Sequence, residues 1–194
     1  MVSKKIRNRK KYTAAYSTVL TNTKTTASFS HIYVDAFAGA GKHKLKKTGE
    51  EVLGSPFNAL DIKFPFHEYH LIDINPEKTS YLKEATKDKT NVFVYNNDCN
   101  KILLEKIIPS VEYSRYKRGL FFLDPYGIHL DWKVIKAAGQ QKTIEIFLNF
   151  SIMDMNMNVL KKDKNKVTVD QKNGRKLQGR TYSEIPPTLQ LAFN

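Results

Sequence analysis

Four acidic residues follow short apolar runs in the middle of the chain. Together they could hold a nucleoside joined to an amino acid. Asp35 closes His31-Ile32-Tyr33-Val34 and opens Asp35-Ala36-Phe37-Ala38-Gly39-Ala40-Gly41. Asp73 closes Glu68-Tyr69-His70-Leu71-Ile72, Asp98 follows Asn91-Val92-Phe93-Val94-Tyr95, and Asp124 follows Gly119-Leu120-Phe121-Phe122-Leu123. One such aspartate means little, because aspartate is common in turns. Four at equivalent places are hard to explain by turn chemistry alone. An ionised carboxylate only accepts hydrogen bonds. Asp73 therefore suits ribose hydroxyls, Asp98 an adenine amino group, and Asp35 the ammonium of an amino-acid moiety. Gly39 and Gly41 let backbone approach a bulky ligand where a side chain would clash.

The elements that must position these residues are legible from the pattern. His31–Phe37, Glu68–Asp73, Asn91–Tyr95, Gly119–Leu123 and Thr143–Phe150 are short, nearly continuous apolar runs. Helical stretches fall between them over Gly54-Ser55-Pro56 onward, Pro76–Thr86, Asn100–Ile108 and Asp131–Ala138. Ser55 is placed to cap the first of these with Pro56 at its first position, and Asn75 to cap the second. The stretch Lys42–Leu53 reads as a basic loop. Strands alternating with helices predict an α/β fold: a doubly wound, mostly parallel, Rossmann-like sheet in a single domain. Such sheets bind ligands beyond the carboxyl ends of their strands, where all four aspartates fall.

The glycine turn narrows the ligand. It is G-x-G rather than G-x-G-x-x-G, and Lys42-His43-Lys44 follows it instead of a helix start. A pyrophosphate would want a helix N-terminus there. The P-loop pattern is absent as well. The pattern thus points away from a dinucleotide and toward a ligand with no pyrophosphate.

The ordered set resembles the class I S-adenosylmethionine (SAM) methyltransferases over roughly the first five-sixths of the chain. Asp35-Ala36-Phe37-Ala38-Gly39-Ala40-Gly41 is similar to their glycine motif, in the form seen in enzymes that methylate exocyclic amino groups of bases. Asp124-Pro125-Tyr126 is similar to a shortened Asp/Asn-Pro-Pro-Tyr/Phe motif, with one proline where those enzymes often have two. The runs DAFAGAG, TGEEVLGSP, IDINPEK, LDPYG and LNFSIMDMNMNVL, in that order, resemble the three-Cys-motif partner family (TcmP). The resemblance implies SAM as cofactor, held by Asp35, Phe37, Ala38, Gly39, Gly41, Asp73 and Asp98. It implies methyl transfer at Asp124, Pro125 and Tyr126. It also implies a protein partner encoded nearby. The resemblance fades after Leu160, where family members continue into a largely helical segment. Three regions are expected: a basic N-terminal helix and loop over 1–30, the methyltransferase-like body over 31–160, and a basic tail over 161–194. An Asn173-Gly174 turn in the tail signals a hairpin.

Charge suggests the partner. The chain of 194 residues carries 32 Lys plus Arg against 19 Asp plus Glu, a formal +13. The surplus concentrates in the first fifty residues and in the tail, which favours a polyanion such as DNA or RNA. Lys42, Lys44, Lys46 and Lys47, with Lys4 to Lys11, are the candidate phosphate contacts. A solvated lysine-rich surface is the plainer explanation. One cysteine, Cys99, allows neither an internal disulfide nor a cysteine-rich zinc site, so a reduced, cytoplasmic compartment is expected. No apolar run is long enough to span a bilayer, and no membrane association is expected.

Plainer roles compete at each position. Asp124-Pro125-Tyr126-Gly127 could merely end a strand. Asp98 could cap the following helix. Cys99 reads as a small buried residue rather than a nucleophile. The histidines show no metal-ligand spacing. His129, following the Asp-Pro-Tyr motif, has a minor claim to touch substrate. Three functions stay open: a base-amino methyltransferase, a non-catalytic module of the same fold that binds nucleic acid or a partner protein, and a methyltransferase for a small molecule or protein.

Overall fold

In the computed structural model, residues 2–23, 29–44, 49–125 and 129–149 are described. Five parallel strands form the central sheet: β1 (Ser30–Asp35), β4 (Glu68–Asp73), β5 (Val92–Asn96), β6 (Lys117–Leu123) and β7 (Ile144–Leu148). Their order is β5-β4-β1-β6-β7. The chain winds outward from β1 to β5, then crosses back to β6 on the other side of β1. The winding reverses between β1 and β6, which is where a doubly wound sheet opens a crevice at its carboxyl edge. The α/β expectation holds.

Alternation along the strands explains the two layers. In β1, Ile32 and Val34 face one side and Tyr33 the other, and all three are buried. Leu71 and Phe122 share the Tyr33 side, packed under Tyr12 and Tyr16 of α1 (Val2–Asn22), Ala59 of α2 (Ser55–Leu60) and Leu82 of α3 (Pro76–Ala85). Ile72, Phe121 and Ile146 share the other side. There they meet α4 (Cys99–Ile102), a π-helical turn (Leu103–Ile107), α5 (Ile108–Ser110) and α6 (Trp132–Gln141). Helices on both faces leave the inner strands β1, β4 and β6 buried on both sides, hence their continuous apolar runs.

Two local expectations are corrected. The stretch after Gly41 is not merely a loop: β2 (Lys42–Lys44) pairs antiparallel with β3 (Glu51–Leu53). Gly54 N–H donates to the Gly41 carbonyl at 2.6 Å and closes the base of this ribbon. Ser55 does not cap α2. Gly54 is the N-cap, with no side-chain cap bond, and Ser55 is the first helical residue. Its hydroxyl is hydrogen-bonded to Asp35 instead. Asn75 does cap α3, accepting from Glu77 N at 2.9 Å and Lys78 N at 3.1 Å. The tail over 161–194 lies outside the described residues.

Candidate functional site

Asp73, the last residue of β4, organises the carboxyl edge. Its Oδ2 accepts from Gly39 N at 2.8 Å and its Oδ1 from Asn75 N at 2.8 Å. One carboxylate thus ties the glycine turn after β1 to the start of α3. Each oxygen retains a further lone pair for a ligand hydroxyl. Asn96 of β5 braces the same point, donating to the Ile74 carbonyl at 2.9 Å and the Asp73 carbonyl at 3.3 Å.

The two glycines do different work. Both have positive φ, 62° at Gly39 and 71° at Gly41, a region that favours glycine. A Cβ on Gly41 would fall 2.7 Å from Phe57 Cδ2, so that glycine lets α2 pack against the turn. Among the described residues, a Cβ on Gly39 would meet nothing within 4 Å. The backbone at Gly39, aligned by Asp73, thus borders open space. Ala38 is buried and Phe37 packs against the core. Beside Asp73, Ile74 is 75% exposed, an apolar surface suited to the face of a heterocycle. Sequence reasoning missed it, although an exposed apolar residue directly after the β4 acid was visible as a pattern.

Asp98 performs its plainer role: Oδ1 accepts from Asn100 N at 2.6 Å and caps α4. Its side chain is exposed. Asp35 is enclosed, with no solvent exposure. It accepts from Phe37 N at 3.2 Å, from Tyr33 Oη at 3.4 Å and from Ser55. Burial pushes its carboxyl up to about 6, with neighbouring Asp124 acting in the same direction and the hydrogen bonds and Arg9 opposing.

Asp124 sits just beyond β6 and is held from two sides. Arg9 Nη2 of α1 donates to Oδ2 at 2.7 Å, and Asn149 Nδ2, just beyond β7, makes a very short hydrogen bond to Oδ1. The Arg9 guanidinium carbon lies 4.9 Å from the Phe122 ring centroid, a cation–π contact. Arg9 and Asn149 carried no local sequence signal. Pro125 is buried, and Tyr126 lies outside the described residues. Arg9 also lines a small cleft between α1 and α2 with Lys10, Ser55 and Asn58. The Arg9 Nε is buried without a partner among the described residues.

The basic ribbon is only partly described. Lys42 is exposed, 3.6 Å from Glu51 and 5.7 Å from the Tyr81 ring centroid. The Lys44 side chain and Lys46 and Lys47 fall outside the described residues. Cys99 is buried, and burial pushes its thiol up to about 12, with Asp98 adding to the effect. Among the described residues no group of three or more His, Cys, Asp or Glu could hold a metal ion. Among the same residues no helix is long and apolar enough to cross a membrane.

The fold is that of a Rossmann-like α/β domain, with Asp35, Asp73 and Asp124 at the carboxyl ends of β1, β4 and β6. No protein-family model and no curated protein sequence matches the chain. Solved structures do match in fold. The chain is similar to LPL1258 of Legionella pneumophila, described with the family model DUF519, at a TM-score of 0.51 and 17% identity, over 71% of this chain and 65% of that one. It therefore spans somewhat less than two thirds of that protein's length. It also matches yhhF of Escherichia coli, a proposed methyltransferase, at a TM-score of 0.48 and 17% identity over 76% and 70% of the two chains. At these identities the likeness is one of architecture.

Proposed function

We propose that this chain is a SAM-dependent methyltransferase acting on an exocyclic amino group of a nucleic-acid base. The observation that carries the reading is the Asp73–Gly39 bond beside open space. It presents an acid, a bare backbone and the exposed Ile74 on one edge of the sheet. The ordered motifs that resemble those of the TcmP family support the same reading, and membership of that family is part of the proposal.

The residues fit the cofactor. Asp73 would accept from ribose hydroxyls through its spare lone pairs, Ile74 would underlie the adenine, and Asp98 Oδ2 would accept from its amino group. Gly39 leaves room for the chain joining the sugar to the amino acid. When bound, SAM supplies a methyl group already activated on a sulfonium; the protein's part is orientation and electrostatics. Asp124 and the Pro125 carbonyl would accept the protons of the target amine and direct its lone pair outward. Arg9 and Asn149 hold Asp124 in place for that task. Tyr126 would stack on the base, which must leave any duplex first. The basic side chains of 4–11 and 42–47 would hold phosphates without reading sequence.

The test is transfer of labelled methyl from SAM to total RNA and DNA. The wild type labels one of them. Asp124→Ala and Tyr126→Ala each reduce labelling by about a hundredfold or more, the size expected when a group acting on the reacting atom is removed. Undiminished labelling by both variants rejects the assignment.

One observation favours a second reading, a non-catalytic module of the same fold. Both Asp124 oxygens are engaged and Asp35 is enclosed, so neither acid stands open. A protein that binds nucleic acid yet transfers no methyl group to any acceptor would fit that reading.

A further inference from the structure

The opposite edge of the sheet, where the strands begin, carries a second constellation. A 3-10 turn (Tyr113–Arg115) leads through Tyr116 into β6, and Tyr116 adopts a left-handed conformation with φ 52°. Few residues other than glycine do so, and the turn is held by specific bonds. Tyr116 N donates to the Tyr113 carbonyl at 3.0 Å, and Ser30 N to the Tyr116 carbonyl at 3.2 Å. The Arg118 guanidinium carbon lies 4.7 Å from the Phe29 ring centroid and 4.9 Å from that of Tyr113. The Phe29 and Tyr116 rings meet edge to face with centroids 6.1 Å apart. Tyr113 is 70% exposed and Tyr116 49%.

The charges leave a surplus. Glu112 pairs with Arg115 at 3.3 Å, and Glu68 with Lys117 at 2.9 Å. Among the described residues no carboxylate pairs with Arg118, and its Nη1 donates only to the Lys117 carbonyl at 3.1 Å. Two exposed tyrosine rings thus stand near a guanidinium that pairs with no carboxylate among the described residues. Rings with an adjacent cation match a ligand built of flat bases joined by phosphates, because every base has a face that can stack. In a duplex those faces are already covered by neighbouring base pairs.

We propose that Tyr113, Tyr116 and Arg118 form a binding surface for single-stranded nucleic acid. Bases stack on the two tyrosines and a phosphate pairs with Arg118. The net charge of +13 draws such a polyanion toward the protein. The surface lies a strand length, about 20 Å, from Asp124. It is therefore separate from the carboxyl edge and stands whether or not the chain transfers methyl groups.

The experiment is fluorescence anisotropy with a short labelled oligoadenylate, alone and annealed to its complement. The single strand binds more tightly than the duplex. Tyr113→Ala and Tyr116→Ala each weaken single-strand binding by about 5- to 100-fold, and Tyr113→Phe restores it. Arg118→Gln lowers the slope of log affinity against log salt by about one. SAM binding, measured by calorimetry on the same variants, stays as in the wild type. Equal binding of single strand and duplex overturns the proposal. So does single-strand binding that the alanine variants leave intact, or a surface that takes an acidic peptide but no oligonucleotide. None of these results touches the assignment of Asp73 and Gly39.

Discussion

Arg9, on the first helix, donates to Asp124 at the end of β6 across 115 positions of sequence, at 2.7 Å. The guanidinium also covers Phe122. One side chain therefore docks α1 onto the sheet and fixes the acid assigned to the target amine. The Arg9 side chain is 15% exposed and that of Asp124 30%. Removing either partner leaves a largely desolvated charge.

Arg9→Ala is expected to lower stability by about 1.5–3 kcal/mol in urea denaturation, the range for a hydrogen bond to a charged group. The Arg9→Ala/Asp124→Ala double variant should lose less than the sum of the two singles, because the same bond is removed twice. Strict additivity would mean that the pair contributes nothing.

Gly41 and Gly39 should respond differently to alanine. Gly41→Ala combines a left-handed backbone with a Cβ driven into Phe57, and a loss of about 2–4 kcal/mol is expected. Gly39→Ala carries only the backbone cost, about 1 kcal/mol. Thermal or urea unfolding separates the two. Equal losses would contradict the assignment of Gly41 to packing and Gly39 to open space.

Asp35 makes stability depend on pH in an unusual direction. Its carboxyl is pushed from the ordinary value of 3.8 up to about 6 in the folded state. Between those values the folded chain binds more proton than the unfolded chain, so this group makes stability fall as pH rises. Asp35→Asn should remove that slope and gain about 1–3 kcal/mol relative to wild type on going from pH 4 to pH 7. Urea midpoints at the two pH values check it. A variant with the wild-type slope would contradict the burial argument.

Cys99 should be inert while the protein is folded. A thiol pushed up to about 12 carries almost no thiolate near neutrality, and the side chain is buried. Iodoacetamide at mildly alkaline pH should label it slowly in the native protein and fast in denaturant. Rapid native labelling would place Cys99 in an open, activated setting.

The inner strands β1, β4 and β6 were legible because they are buried on both faces and so read as apolar runs; the edge strands β5 and β7 were legible from their β-branched and aromatic residues. Their ends were legible because an aspartate follows four of them. The β2–β3 ribbon was not, since three-residue strands such as Lys42–Lys44 show no alternation and are held by backbone pairing. Ser55 was misassigned because a serine before a proline has the look of a cap, while its true partner, Asp35, is distant in sequence. Asn75 and Asp98 were readable as caps because their partners lie two or three residues away. Arg9 and Asn149 could not be read at all. Their connection to Asp124 exists only once α1 lies on the sheet and β7 stands beside β6. Local chemistry is visible in sequence; chemistry assembled by topology is not.

The most direct measurement is calorimetric titration of SAM into the wild type, Asp73→Ala and Gly39→Arg. The account predicts saturable binding by the wild type and loss of binding in both variants, with all three folded by circular dichroism. The first variant removes the acceptor for ribose hydroxyls, and the second fills the open space beside the glycine turn. Absence of binding by folded wild type, or binding that both substitutions leave unchanged, would contradict the cofactor site.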